Sequence, residues 1–176
     1  MTDDVLTAAL VAELAKKTSV SWLRVPGEAR AHPVWHSWHE DALCVVSDGD
    51  EQPLPHDGMD DGDLVEVVLR SKDNGGRLVT WVGRVSVLQP DDESWTPVTD
   101  SLIASRVNTR DLATAADEWA ERAVVRRIAP TGEFLESPGD LSDDAHRAAP
   151  LETPAITRGR LPRVLHRRVK RHPRLS

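Results

Sequence analysis

The sequence predicts a mainly β domain with accessory helices, built as a six-stranded antiparallel barrel. Three observations carry this. Six short segments are rich in Val, Trp and other strand-forming residues, and two of them alternate apolar and polar residues with period two. Two pairs of these segments flank short turn sequences. No strand–helix–strand alternation appears, which argues against a Rossmann-type parallel sheet. Six antiparallel strands in one small domain close best into a barrel, because closure removes exposed edges.

The elements follow in order. Residues 3 to 17 are expected to form a helix, with Thr2 as its cap and Asp3 and Asp4 at its positive end. Leu6, Leu10 and Leu14 would form its apolar stripe. "SVSWLRVP" reads as the first strand. "HPVWHSWH" and "ALCVVS" flank "ED" and read as a hairpin. Residues 48–63, "DGDEQPLPHDGMDDGD", are acidic and rich in Gly and Pro, and read as a loop. "DLVEVVLRSK" and "GRLVTWVGRVSVL" flank "DNGG", where Asn and Gly tolerate positive φ. Val65, Val67 and Leu69 share one face of the first. Val79, Trp81, Gly83, Val85 and Val87 share one face of the second, opposite Thr80, Arg84 and Ser86. "SWTPVTDSLIASRVN" should form a helix capped by Thr96, with Pro97 in its first turn. "DLATAADEWAER" should form another, and "AVVRRIAP" the last strand. Residues 1–137 are thus expected to be the barrel domain. Residues 138–176, rich in Pro, Ala and charge, are expected to be an irregular or disordered basic tail.

Composition narrows the function classes. The longest apolar runs are far shorter than the ~20 residues of a membrane helix. The acidic start does not resemble a secretory leader. Cys44 is the only cysteine, so an intramolecular disulfide is impossible and a cytoplasmic location is expected. Tyr is absent, which excludes a Tyr general acid. The net charge of −7 hides an asymmetry: residues 155–176 carry eight Lys or Arg and no acid, so the rest of the chain is strongly acidic.

Several words in this order carry a resemblance. "PVWHSWHEDALCVVS", "EQPLP", "RSKDNGGRLVTWVGRVS" and "SRVN" resemble a group of actinobacterial proteins. These belong to the flavin-binding split-barrel superfamily that includes pyridoxamine 5′-phosphate oxidase. The resemblance covers roughly residues 19–130. It implies a split barrel, a homodimer, and a small-molecule cofactor at the dimer interface. Members bind FMN, the deazaflavin cofactor or haem, and some bind nothing known. By position it implies cofactor contacts from His36 and Trp38 on the second strand, Ser47 at the end of the third, Gln52 just after it, and Trp81 and Arg84 around the "GRV" of the fifth. The implied chemistry is that of a flavin- or deazaflavin-dependent oxidoreductase. The alternative is a non-enzymatic binding or interaction protein that has lost the cofactor. The sequence departs from the oxidase where Asp48, Asp50 and Glu51 follow the third strand, since a phosphate there needs cations. The oxidase's substrate residues have no clear match, and no general acid or base is assigned.

Other motifs weigh less. His32, His36 and His39 have nitrogen ligands to offer zinc, but strand periodicity sends His36 and His39 to opposite faces. "DGMDDGD" lacks the twelve-residue pattern of a calcium loop. Cys44 lies in an apolar run, where a thiol is inert. The tail "RLPRVLHRRVKRHPR" has the charge to touch nucleic acid or an anionic membrane, against the plainer readings of a disordered tail or one folded back on the acidic body.

Overall fold

In the computed structural model, residues 2–73, 75–106 and 112–141 are described. The elements are α1 (Thr2–Lys17), β1 (Val20–Arg24), β2 (His32–Trp35), β3 (Ser37–His39), β4 (Ala42–Ser47), β5 (Leu64–Arg70), β6 (Arg77–Leu88), α2 (Trp95–Ser105), α3 (Ala115–Arg122) and β7 (Val124–Glu136). The chain divides into two units, Met1–His146 and Arg147–Ser176, and every described residue belongs to the first. The basic tail and the end of "SRVN" lie outside the described residues. Among the described residues no helix is long and apolar enough to cross a membrane.

All the strands pair antiparallel in the order β2-β1-β5-β6-β7-β4-β3. The two edge strands, β2 and β3, are one stretch of chain separated only by His36. The sheet therefore curls until its edges meet at that residue. This is the split barrel, with seven strands where six were expected. The expected second strand pairs first with β1 and then, past His36, with β4. A change of partner leaves side-chain alternation intact, so the sequence pattern does not reveal it.

Alternation sorts the chain into two cores. Val34, Leu43, Val45, Val65, Val67, Leu69, Val79, Trp81, Val85 and Ile128 fill the barrel. The even-numbered residues Cys44 and Val46 point outward to a second core with Val125, Trp95, Val98, Leu102, Ala115 and Trp119. With a core on each side, β4 is buried at every position. The β3–β4 hairpin turns at Glu40 and Asp41, both with positive φ, as a two-residue primed turn requires. The β5–β6 hairpin forms at "DNGG" as expected, and Asn74 lies outside the described residues.

Three expectations need correction. On α1, Leu6 is exposed and the fully buried residues are Val11 and Ala15, with Leu14 partly buried. Val11 and Ala15 lie one turn apart on a face rotated well away from Leu6, and it is that face which packs on the barrel core. Next, α2 begins at Trp95 after Ser94, so Thr96 lies inside the helix. A turn at Gln89 and Asp92 starts it early: Asp92 accepts from the Gln89 and Trp95 amides. Finally, β7 runs well past Pro130 to Glu136, with register shifts opposite Trp81.

Candidate functional site

Beside the barrel, α1, the β3–β4 turn and β7 enclose a recess of about 590 Å³. Ala8, Ala9 and Ala12 form one wall, and Ala129, Pro130 and Phe134 another. Trp38 reaches it from β3, while Glu40 and Asp41 bring carboxylates from the turn. Trp81 is fully buried in the barrel and meets Trp38 edge to face, with centroids 6.5 Å apart. The recess therefore has an aromatic side chain held by a rigid core aromatic. Gly83 belongs to the same packing. A Cβ there would come within 2.3 Å of Ile128 Cγ2 and 2.8 Å of Trp81 Cζ3, so the glycine of "GRV" makes room for the indole.

His36 is buried beneath α1. Its Nε2–H donates to the Ala15 carbonyl at 3.1 Å, and its amide donates to Ser19 O. Burial holds its pKa below the usual 6.5. Cys44 is fully buried, and burial pushes its thiol up to about 11, so it is not a nucleophile at neutral pH. Arg84 is exposed on β6 and donates to Gly62 O at 3.0 Å. Its ladder partner is Ala129, a wall of the recess.

Ser47 and Gln52 belong to a different place. Trp38 pairs with Leu43, and Ser47 lies four residues further along β4, about 13 Å away at ~3.3 Å per residue. Arg126, on the barrel's inner side and almost fully buried, donates to Ser47 Oγ at 2.6 Å and to Met59 O at 2.9 Å. Ser47 in turn donates to Asp48 at 3.0 Å. Desolvation lowers the Arg126 pKa, opposed by Asp48 and Asp60. Gln52 bridges the barrel's split: its amide binds both backbone groups of Trp35 and donates to Val46 O. Glu51 accepts from Trp119 Nε1 at 2.8 Å and pairs with Arg106, whose guanidinium lies over the Trp35 and Trp119 rings.

Of the six residues expected to touch a cofactor, Trp38 lines the recess, Trp81 is packed against it inside the barrel, and Arg84 is the ladder partner of the lining residue Ala129. Ser47 and Gln52 sit together elsewhere, and His36 is tied to α1. Sequence reasoning missed Phe134, Arg106 and Arg126. The adjacent arginines in a strand with a core on both faces were the available signal for Arg126.

A flavin has two requirements, a surface for its ring and cations for its phosphate. The recess suits a ring. The neighbourhood of Ser47 does not suit a phosphate, because the hydroxyl is engaged by Arg126 and Asp48, and Glu51 already neutralises Arg106.

No protein-family model matches the chain, and no curated protein matches it. Solved structures do. A conserved hypothetical protein from Mycobacterium tuberculosis has 16% identity and a TM-score of 0.49, over 70% of this chain and 79% of that one. A FAD-binding protein from Mesorhizobium loti has 17% identity and a TM-score of 0.46, over 70% and 87%. A FAD- and haem-binding protein from Mycobacterium smegmatis has 17% identity and a TM-score of 0.45, over 88% and 91%.

Proposed function

We propose that the chain is a split-barrel protein of the pyridoxamine 5′-phosphate oxidase-like superfamily that holds a flavin or deazaflavin ring against Trp38 and works as an oxidoreductase. The observation that carries this reading is the recess. It offers apolar walls, a half-buried indole fixed by Trp81, and enough volume for a tricyclic ring. In this role the cofactor supplies hydride transfer, and the protein orients the ring and excludes water. This reading assigns the cofactor's anionic end to Arg84, the ladder partner of Ala129. The working form is a homodimer, as the resemblance implies.

The test is the absorption spectrum of freshly purified protein, followed by titration with FMN, FAD and deazaflavin while tryptophan quenching is read. Wild type should bind one of them. Trp38→Ala should weaken binding about tenfold or more, the scale of losing an aromatic stack with its buried area. A colourless protein with no spectral or thermal response to any of the three would overturn the reading. That outcome would favour the second one, a cofactor-free binding protein. The second reading is supported by Ser47, Glu51 and Gln52, which all spend their polar groups inside the protein.

A further inference from the structure

The end of α1, the start of β1 and the end of β5 enclose a second cavity of about 350 Å³, which shares no lining residue with the Trp38 recess. Its charged groups are Lys17, Arg70 and Lys72, and no carboxylate lines it among the described residues. In a chain with 29 acidic residues against 22 basic ones, three cations facing one cavity stand out from the general surface.

Arg70 is the organising group. It follows β5's Val68, the ladder partner of Trp22, and its guanidinium lies 4.6 Å over the Trp22 ring. Stacking fixes the guanidinium plane without using its edge. Its Nε is buried with no hydrogen-bond partner, and among the described residues no carboxylate pairs with it. Nε itself is closed off from the cavity, but the two terminal Nη groups have no hydrogen-bond or ion-pair partner among the described residues, and a stacked guanidinium with its terminal edge free binds an oxyanion in two-point fashion. Lys72 projects from the adjacent turn and has no ion pair among the described residues. Lys17 pairs with Glu13 at 3.0 Å, but both side chains are largely exposed, so the pair is readily exchanged. The hydroxyl residues Ser19 and Ser71 also face the cavity. The negative end of α1 works against an anion here. That effect is muted because Thr18 sends both its amide and its hydroxyl to the Leu14 carbonyl.

We propose that this cavity binds a phosphate monoester, with Arg70 and Lys72 on the phosphate and the exposed Val20 beside Trp22 against the organic part. The phosphate would come either from a soluble metabolite or from a lipid head group. Both sources share this chemistry and are separated below.

The test uses the full chain. Inorganic phosphate and pyrophosphate are titrated at constant ionic strength, and the six indole N–H resonances are followed. The Trp22 resonance should shift saturably, and Arg70→Ala and Lys72→Ala should each weaken the titration about tenfold, the scale of one charged hydrogen bond. Lys72 is exposed, so its replacement leaves the fold unchanged even if Arg70→Ala does not. Arg84→Ala should have no effect. In a second arm, vesicles of phosphatidylcholine with and without phosphatidic acid are sedimented with the wild type and both variants. Phosphate binding with unchanged vesicle binding identifies a soluble phosphoester. Vesicle binding that is lost in both variants identifies a head group. A Trp22 signal that ignores phosphate, or that follows chloride equally well, overturns the proposal.

Discussion

Gly83 shows how a single residue can carry both a motif and its cause. The "GRV" word resembles a family signature, yet the structure gives it a local reason. The indole of Trp81 lies against the space a side chain would fill, with Ile128 closing it from β7. Gly83→Ala must move a rigid ring or a packed isoleucine, and overpacking of this kind costs about 1–3 kcal/mol. The expected result is a lower denaturant midpoint with an unchanged slope, read by urea titration. Because Trp81 supports Trp38, the variant should also weaken any ring ligand in the recess. Gln52 gives a second example. The sequence marks it only through "EQPLP", whereas its amide substitutes for a missing rung between Trp35 and Val46.

At the scale of elements, the alternating strands were legible and the loop was not. Val65, Val67 and Leu69, like Val79, Trp81 and Val85, face the core as period two requires. The leucine spacing of α1 points to Leu6, Leu10 and Leu14, whereas the buried face is that of Val11 and Ala15, with Leu14 at its border. Residues 48–63 look like a solvated acidic loop, but Leu54 and Met59 enter the barrel core and Arg126 holds the Met59 carbonyl. No periodicity exists in such a segment to announce this, and two isolated apolar residues among acids are its only trace. Arg126→Met keeps the stem and removes the charge. It should destabilise the protein by about 2–3 kcal/mol, the scale of lost charge-assisted hydrogen bonds with a buried hydroxyl left behind. The loss should be local first. Amide exchange should quicken in residues 48–63 before it does in β5 or β6. Uniform quickening across the sheet would show that Arg126 does not anchor the loop.

For the whole molecule, the deciding event is closure of the sheet at His36, and this was half legible. The sequence pattern puts Val34, His36 and Trp38 on one face; Val34 enters the barrel core, Trp38 packs against it, and His36 is buried beneath α1. The pattern cannot show that β2 and β3 have different partners, since pairing is a long-range choice made by β1 and β4. His36 holds the closure together through Ala15 O on α1 and Ser19 O before β1. Its buried imidazole resists protonation, so its folded pKa lies below the unfolded value of 6.5. Above that value both states are neutral and pH has no effect through this group. As pH falls below it, the unfolded chain takes up a proton that the folded one refuses, and stability falls by up to about 1.4 kcal/mol per pH unit until the folded pKa is reached. His36→Gln removes this titration while keeping a donor. The variant should be less stable than wild type at pH 7.5, and the gap should narrow as pH falls to 5.5. Thermal midpoints across that range read the difference directly, and parallel curves would show that His36 does not carry the acid sensitivity of the closed barrel.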